Sequence, residues 1–391
     1  MDILFISSLD FTNNITIQYP SIGVLNLSTI LKNKGFIVDI LDIFHEINHK
    51  RIPINVDYEQ MKTNIIEQIL SCTPKIVGFS TTCDTYPIAI DIAGKLKACS
   101  PCTKVIFGGP QASITASETM ELFNDIDLIA IGESERDIAE IVQALLENDF
   151  SRLHNIPNLI YRDASNEIIQ TKSEAVFINI DLLPRISESF LTRYYGKEGG
   201  LKCYSLDIGR GCPFNCTYCS TSNFWHRKFR IKSVEKIISE IEWAHDTYGI
   251  NFFRFVHDLF TAKKTYVLHL CEQIKKLNFP IKWTCSARID TLDDEIMDAL
   301  AAANCKGIFL GIETGSQRMQ YVINKNFNIA EAEEKVKRLI TKGFEPTCYF
   351  IYGFKDETID DLTDTLKMAK RLFDYGVFDV QMYKFSPLPK T

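Results

Sequence analysis

The sequence predicts an α/β protein of two domains, a doubly wound, Rossmann-like domain followed by a partial (β/α)6 barrel. Three observations predict this fold. The 391 residues exceed what one compact core ordinarily holds. Short apolar runs alternate with amphipathic stretches along both halves, which is typical of parallel sheets covered by helices. A composition of 46% hydrophobic and 24% charged residues is that of a globular protein.

The first domain is predicted at residues 1–147. Apolar runs predict strands at residues 3–7, 37–41, 76–80, 105–107 and 128–131. Amphipathic runs predict helices at residues 24–34, 58–71, 87–98 and 135–147. Loops of small residues follow the strands, at the edge where doubly wound sheets bind ligands.

A connecting region is predicted at residues 148–202, and the second domain at 203–391. The connecting region is expected to hold a β-hairpin, formed by residues 158–162 and 167–171, and then an extended linker around Pro184 and Ser187–Ser189. The second domain again alternates, with strands predicted at 204–208, 252–256, 281–285, 307–311, 348–352 and 379–383. Its helices are predicted at 234–247, 264–276, 293–303, 329–342 and 358–375. Six units are too few to close an eight-stranded barrel, so an open one is expected.

Charge and hydropathy narrow the class of protein. A net charge of −7 and a pI near 5.6 argue against a general nucleic-acid binder, although a local basic groove around Arg227, Lys228 and Arg230 remains open. No apolar run reaches the ~18–20 residues that cross a bilayer, so no membrane segment is expected. The N-terminus lacks the basic region of a signal peptide, which predicts a cytoplasmic protein.

Twelve cysteines are many for such a protein. Disulfides are not expected in a cytoplasmic chain of this length. Seven cysteines are scattered singly. Cys99 and Cys102 lie at a helix end beside Pro101, without a second pair or a nearby histidine, and are interpreted as unrelated thiols.

The other three cysteines form the motif with the clearest chemistry. Cys212, Cys216 and Cys219 make a Cys-x₃-Cys-x₂-Cys triplet directly after the first strand of the second domain. Thiolates are the ligands that iron–sulfur clusters and zinc select. Three ligands on a four-iron cluster leave one iron open for chemistry. A zinc site, with His226 or Cys203 as its fourth ligand, stays open as an alternative.

The triplet and the six-strand pattern resemble the radical S-adenosylmethionine (SAM) superfamily, and the whole chain is similar to its cobalamin-binding branch. The resemblance implies a [4Fe–4S] cluster, SAM and cobalamin as cofactors. In this family SAM binds the open iron, and the reduced cluster cleaves it to a 5′-deoxyadenosyl radical that abstracts a substrate hydrogen. An electron donor such as flavodoxin or ferredoxin is implied as a partner.

The resemblance also assigns residues to SAM. Asp258 lies in a segment that resembles the family's Asp-Asp-x-Phe contact to the SAM amino group, with His257 in place of the first acid. Arg288 would face the SAM carboxylate, and Glu313 the ribose or the methionine. The remaining implied contacts are Tyr218, Ser316, Ile351 and Gly353. Alternatives stay open: Asp258 or Arg288 in a surface ion pair, and Glu313 as a helix N-cap partner.

The first domain resembles the cobalamin-binding fold of this branch. Implied contacts follow its third, fourth and fifth strands: Ser80, Thr82, Gly108, Gly109, Gly132 and Glu133. Many such domains carry Asp-x-His-x-x-Gly, whose histidine ligates cobalt, but residues 8–14 contain no histidine. His45 and His49 are expected at the surface, so the lower cobalt face is expected to lack a histidine ligand. A domain that has lost cobalamin stays possible.

The function implied is methylation of an unactivated carbon, or of a phosphinate phosphorus, in a small molecule or peptide through methylcobalamin. A non-methylating rearrangement or cyclisation is the alternative reaction, and a non-catalytic cobalamin or iron–sulfur carrier is the alternative class. Methylthio transfer to RNA is not expected, because that related family needs three further N-terminal cysteines and a basic tail. No general acid or base is assigned.

Overall fold

A computed structural model describes residues 1–8, 19–53, 57–197 and 199–389. The sequence of residues 8–14 predicts that the lower cobalt face lacks a histidine ligand. Of these residues, only Ser8 belongs to the part of the chain that the structure describes. The chain divides into two compact units, Met1–Gly199 and Gly200–Thr391.

The first unit contains a seven-stranded sheet in the order β2-β1-β3-β4-β5-β6-β7. Its strands are β1 (Ile3–Ser7), β2 (Val38–Asp42), β3 (Ile76–Ser80), β4 (Lys104–Gly108), β5 (Leu128–Ala130), β6 (Leu159–Arg162) and β7 (Ile168–Gln170). Strands β1 to β5 are parallel, which confirms the doubly wound prediction. The predicted hairpin forms and continues this sheet, because β6 pairs antiparallel with β5.

The helices of this unit are α1 (Ile22–Asn33), α2 (Ile43–Asn48), α3 (Tyr58–Ser71), α4 (Tyr86–Cys99), α5 (Pro110–Ile114), α6 (Ala116–Leu122), α7 (Ile138–Glu147), α8 (Phe150–His154) and α9 (Glu188–Tyr195). The extended linker predicted around Pro184 and Ser187–Ser189 is wrong from Glu188 onward, where a helix begins, whereas residues 184–187 lie outside any helix or strand. Ser187 is the N-cap residue of α9, whose buried Phe190, Leu191 and Tyr194 recur at helical spacing. A polar run before an apolar period therefore begins a helix here.

The second unit contains an all-parallel, six-stranded sheet in the order β15-β14-β13-β12-β11-β8. Its strands are β8 (Cys203–Asp207), β11 (Phe252–Val256), β12 (Lys282–Ala287), β13 (Cys305–Glu313), β14 (Glu345–Tyr352) and β15 (Asp379–Lys384), and a short ribbon pairs β9 (Gly209–Arg210) with β10 (Arg230–Ile231). Neighbours in this sheet are consecutive βα units, as the open partial barrel predicts. The carboxyl ends of all six strands share one edge.

The helices of the second unit are α10 (Ser220–Phe224), α11 (Val234–Tyr248), α12 (Lys264–Ile274), α13 (Asp294–Ala302), α14 (Gln317–Val322), α15 (Ile329–Thr341) and α16 (Ile359–Asp374). Short 3₁₀ turns occur at Ile180–Leu182, Phe260–Ala262 and Ile289–Thr291. Among the described helices of both units, none combines the length and the apolar character needed to cross a membrane.

Candidate active site

The three cysteines lie on a loop that leaves the carboxyl edge of the second sheet. Gly211, immediately before Cys212, has φ of +85°, and a Cβ atom there would lie 2.0 Å from the carbonyl oxygen of Lys228. Only glycine fits this approach. The Gly211 N–H donates to the Asp258 carboxylate at 2.6 Å, so β11 fixes where the loop begins. Cys216 is buried, and Cys212 and Cys219 are half-buried.

The three thiols interact electrostatically. Burial raises the pKa of the Cys212 thiol, and the nearby Cys219 and Cys216 raise it further. Three neighbouring thiolates repel one another unless a positively charged centre binds them. The iron ions of an iron–sulfur cluster supply that charge and prefer thiolate ligands. Within the described part of the chain, no group of three or more His, Cys, Asp or Glu closes around a single metal ion. A cluster binds each thiolate at a different iron, so its ligands do not converge on one point.

The zinc alternative loses one of its two candidate ligands. Cys203 is the first residue of β8, whereas the triplet follows the last residue, Asp207. Four residues of strand separate these positions by about 13 Å.

Arg288, at the end of β12, contacts the cysteine loop directly. Its Nη1 donates to the Sγ of Cys216 at 3.3 Å, and its Nε and Nη2 donate to the Asp290 carboxylate at 3.0 and 2.8 Å. Nη2 also donates to the Lys325 carbonyl at 2.7 Å, and the guanidinium lies 3.8 Å from the centre of the Phe214 ring. Arg288 is buried, which excludes the surface ion pair. Burial opposes its charge, but the hydrogen bonds to Asp290 leave the pKa of Arg288 raised.

A buried ion pair lies beside the same loop. The Nζ of Lys325 is 2.7 Å from the Oε1 of Glu313 and 3.2 Å from the Tyr218 hydroxyl, which itself donates to that Oε1 at 2.9 Å. Both charged side chains are less than a tenth exposed. Gly311 makes room for them, because a Cβ there would lie 2.3 Å from Oε1. Glu313 itself has φ of +67° at a register shift between β13 and β14.

The segment from Ile323 to Asn326 supports the cysteine loop from behind, and the sequence reading missed it. The Ile323 carbonyl accepts from the Thr217 N–H at 3.0 Å, and the Asn324 side chain donates to the Asn215 carbonyl at 2.7 Å. Asn324 and Asn326 have φ of +53° and +63°. Asparagine tolerates this left-handed region, so the Asn-Lys-Asn run was the available signal.

His257 is buried and Asp258 is solvent-exposed, and each has a defined partner. Partial desolvation by the surrounding protein raises the pKa of Asp258, whose carboxylate accepts a hydrogen bond from the Gly211 N–H. The Nδ1 of His257 accepts from the Leu259 N–H, which leaves its Nε2 to donate to the Arg230 carbonyl at 3.1 Å. Burial lowers the pKa of His257 to about 4, so this histidine is neutral and structural. In this structure Asp258 acts on the cysteine loop.

The remaining SAM candidates differ in whether their polar groups already make hydrogen bonds within the protein. Ser316 is the N-cap of α14: its hydroxyl donates to Asp361 and accepts from the Met319 N–H. The N–H of Gly353 donates to Glu357, and its φ is +86°. Ile351 packs in an apolar group that also contains Met319, Ile323, Phe354, Phe385 and Tyr218. The structure therefore brings Tyr218, Arg288, Glu313 and Ile351 around the triplet, while Ser316 and Gly353 make hydrogen bonds within the protein.

In the first unit, the loops after β3 and β4 are joined by hydrogen bonds. The N–H and Oγ1 of Thr81 both donate to the Gly108 carbonyl at 2.9 Å. Gly109 has φ of +91°, and a Cβ atom there would lie 2.6 Å from the Thr81 carbonyl oxygen. The Ser113 hydroxyl donates to the Gly109 carbonyl and accepts from the Gly132 N–H, at 2.7 and 2.9 Å. This extends the joined set to the loop after β5.

One position at this edge is open. Gly132 has φ of +78°, and nothing lies within 4 Å of the Cβ position that it leaves empty. The strand order reverses between β1 and β3, which is where doubly wound sheets bind ligands. The polar candidates are less available, because Glu133 accepts from the Ile178 N–H at 3.2 Å and the Thr82 N–H donates to Thr85 at 3.0 Å.

His45 of α2 and His49, the C-cap residue of that helix, have ring centres 4.0 Å apart. His49 is exposed, as expected. His45 is half-buried instead, because its ring also contacts Tyr194 of α9. Burial lowers the pKa of His45 to about 4.

Comparison with known proteins agrees with this architecture. Residues 206–369 match the family model of the radical SAM superfamily, and residues 10–142 match that of the B12 binding domain. A protein of Pyrococcus horikoshii named as an uncharacterized methyltransferase is 30% identical over 84% of this chain and 70% of its own length. The anaerobic magnesium-protoporphyrin IX monomethyl ester cyclase of Cereibacter sphaeroides is 25% identical over 90% of this chain, which spans 56% of that protein.

Solved structures share the fold. The radical SAM methyltransferase TsrM of Kitasatospora setae, with cobalamin and a [4Fe–4S] cluster bound, superposes with a TM-score of 0.76 over 99% of this chain and 77% of its own, at 17% identity. Together the two domains define a cobalamin-type radical SAM architecture. The chain belongs to the cobalamin-binding branch of the radical SAM superfamily, and this membership implies a [4Fe–4S] cluster, SAM and cobalamin as its cofactors.

Proposed function

We propose that the chain is a cobalamin-dependent radical SAM methyltransferase that acts on an unactivated carbon, or a phosphinate phosphorus, of a small molecule or peptide. The observation that carries the proposal is the meeting of Tyr218, Arg288 and Glu313 around three thiols, in a chain that also has a cobalamin-type domain. Relatives named as methyltransferases support the same reaction class.

The cysteine triplet is the part of the site that would hold the cluster. When bound, the cluster, SAM and cobalamin would supply the electron, the adenosyl radical and the methyl group. Cys212, Cys216 and Cys219 would ligate three irons and leave the fourth open. Arg288 would compensate the negative charge at Cys216, and both residues are buried, so bulk water has little access to that thiolate.

The hydrogen bonds of Glu313 and Arg288 leave specific atoms for SAM. Both bonds that Glu313 accepts reach Oε1, and among the described residues none reaches Oε2, so Oε2 is the oxygen we assign to a ribose hydroxyl. Arg288 has five N–H groups, and four of them donate to Cys216, Asp290 and the Lys325 carbonyl. One Nη1 N–H remains for the SAM carboxylate. The apolar group containing Ile351 and Tyr218 suits the adenine face.

The contacts in the first unit are proposed for cobalamin. Gly108, Gly109 and Gly132 are proposed as backbone contacts, and the open Cβ position of Gly132 would let the ligand approach closely. Ser80, Thr82 and Glu133 complete the proposed set, with the last two also serving the loops themselves.

One product analysis tests the reaction class. Anaerobically reconstituted protein is reduced and supplied with cobalamin and with SAM that carries a deuterated methyl group. Methyl transfer predicts S-adenosylhomocysteine whose formation depends on cobalamin, together with 5′-deoxyadenosine when substrate is present. S-adenosylhomocysteine that stays at background, alongside 5′-deoxyadenosine, would contradict methylation.

A non-methylating cyclisation is the second candidate. The similarity to the magnesium-protoporphyrin cyclase over 90% of this chain favours it. It predicts 5′-deoxyadenosine without S-adenosylhomocysteine, so the same experiment separates the two reactions. A non-catalytic carrier predicts neither product. In both catalytic cases a low-potential electron donor such as flavodoxin or ferredoxin is required.

A further inference from the structure

An exposed basic turn lies beside the cysteine loop. We define the basic turn as His226, Arg227 and Lys228, which connect α10 to β10. All three are exposed, and His226 and Arg227 have φ of +49° and +56°. Two consecutive left-handed residues other than glycine cost about 1 kcal/mol each. The surrounding contacts hold this conformation, and it points three basic side chains outward.

Hydrogen bonds join the basic turn to the cysteines. The Arg227 N–H donates to the Ser222 carbonyl at 3.0 Å, and the Ser222 hydroxyl donates to the Cys219 carbonyl at 3.0 Å. On the other side, the Lys228 carbonyl packs against Gly211, the residue before Cys212. The turn is therefore connected to Cys219 through two successive hydrogen bonds, and it packs against the residue that precedes Cys212.

The turn is the centre of a positive segment in an acidic chain. Residues 208–234 contain five Lys and Arg and no Asp or Glu, whereas the whole chain has a net charge of −7. Arg227 and Lys228 make no ion pair with any residue that the structure describes. Arg230 lies over the Trp225 ring behind the turn, 5.4 Å from the ring centre. Arg210 lies 5.9 Å from the same centre, but its charge is paired with Asp207 at 3.8 Å, so the exposed charge is that of the turn itself. This surface attracts an acidic partner to the cluster site.

We propose that the basic turn is the docking surface for an acidic one-electron carrier protein of the flavodoxin or ferredoxin kind. The step it serves is a single electron transfer: the reduced carrier loses one electron, the cluster gains one, and no bond forms or breaks. Encounters of this kind use small interfaces and depend on electrostatic steering. A nucleic acid fits less well, because it needs many phosphate contacts and the overall field of the protein is negative. The proposal rests on the cluster site proposed above.

The test measures cluster reduction by stopped-flow absorbance in reconstituted full-length protein. Arg227→Glu with Lys228→Glu reverses two charges on the turn. Lys275→Glu with Lys276→Glu makes the same change in charge after α12, at the opposite edge of the sheet. The reductants are a reduced acidic flavodoxin and dithionite, each at low salt and at about 1 M salt, where the Debye length is about 3 Å.

We expect the turn variant to lose about tenfold in the rate constant with flavodoxin at low salt, with no loss at high salt. Its rate with dithionite, which needs no docking, and both rates of the control variant stay those of wild type. Equal slowing in both variants, or an unchanged flavodoxin rate, overturns the proposal. The proposal is also overturned if the turn variant keeps its rate with flavodoxin and loses only its affinity for a nucleic acid. Iron content is measured first: a wild-type protein that assembles no cluster overturns the cluster site as well.

Discussion

The Nη1 atom of Arg288 lies 3.3 Å from the Sγ atom of Cys216. The guanidinium cannot turn away from this sulfur, because Asp290 holds its other edge and the Phe214 ring lies against its face. A charge-assisted N–H···S bond stabilises a thiolate, and it does so most when the attached cluster carries its extra electron. We therefore propose that Arg288 sets the cluster's reduction potential, in addition to its proposed contact with SAM.

Replacing Arg288 by glutamine is expected to lower the reduction potential of the cluster, because the more negative, reduced state loses its donor. A loss of about 1.4 kcal/mol corresponds to about 59 mV for one electron. Spectroelectrochemical titration measures the shift. Arg371→Gln, which breaks the ion pair between Arg371 of α16 and Glu333 of α15, is the matched control and leaves the potential unchanged. A potential equal to that of wild type in Arg288→Gln contradicts this role.

Lys325→Met is expected to destabilise the second unit by about 3 kcal/mol, because it leaves the buried Glu313 carboxylate without its counter-charge. The double variant with Glu313→Gln recovers much of this loss, since no unpaired charge remains. Urea unfolding followed by tryptophan fluorescence reports this unit alone, because all three tryptophans lie in it. Additive losses in the double variant would show that the two side chains are not coupled.

The stability of the second unit is expected to fall as the pH drops from about 6.5 to about 4, in part through His257. Burial lowers the pKa of this histidine to about 4, so in that window the unfolded chain takes up a proton that the folded chain does not. Above pH 6.5 the histidine is neutral in both states and costs no stability. Near pH 4 its protonation in the unfolded chain lowers the free energy of unfolding by roughly 3 kcal/mol. Tryptophan-monitored unfolding across this range should give a shallower pH dependence for His257→Gln than for wild type, and parallel curves would refute the assignment.

Gly132→Ala is expected to weaken cobalamin binding with little further effect on stability. Its Cβ meets no protein atom within 4 Å, so the methyl group would occupy space that we assign to the ligand. Gly35→Ala is the control, because Gly35 has φ of +90°, equally open surroundings and a position after α1. Both variants carry the same backbone strain, of about 1 kcal/mol. Equal cobalamin affinities for the two, titrated by absorbance, would remove Gly132 from the site.

The strands and the cysteine loop could be predicted because their signals are local. Buried parallel strands form continuous apolar runs, and Gly211 before Cys212 marks the tight approach. The linker error arose because a polar run such as Ser187–Ser189 is equally compatible with a loop and with a helix N-terminus. The helix forms here because Phe190 and Leu191 are buried against the rest of the unit, and this tertiary contact is not visible in the local sequence.

Lys325 shows what sequence reading could not supply. A lysine between two asparagines is most often a solvent-exposed residue, and nothing in the chain links it to Glu313, twelve positions away. The fold brings α14 back under the cysteine loop and buries the amino group between Glu313 and Tyr218. The family motif located Glu313 and Tyr218, and only the three-dimensional contacts identify the residue that joins them.

The most direct test of the account is SAM cleavage by matched preparations of wild type and Cys216→Ala. Each is reconstituted anaerobically, assayed for iron, reduced with dithionite and incubated with SAM, and 5′-deoxyadenosine is quantified by mass spectrometry. We predict about four irons and continued formation of 5′-deoxyadenosine for wild type, with neither for Cys216→Ala. Equal 5′-deoxyadenosine from both proteins, or none from a wild type that holds its cluster, would contradict the claim that this triplet binds the catalytic cluster.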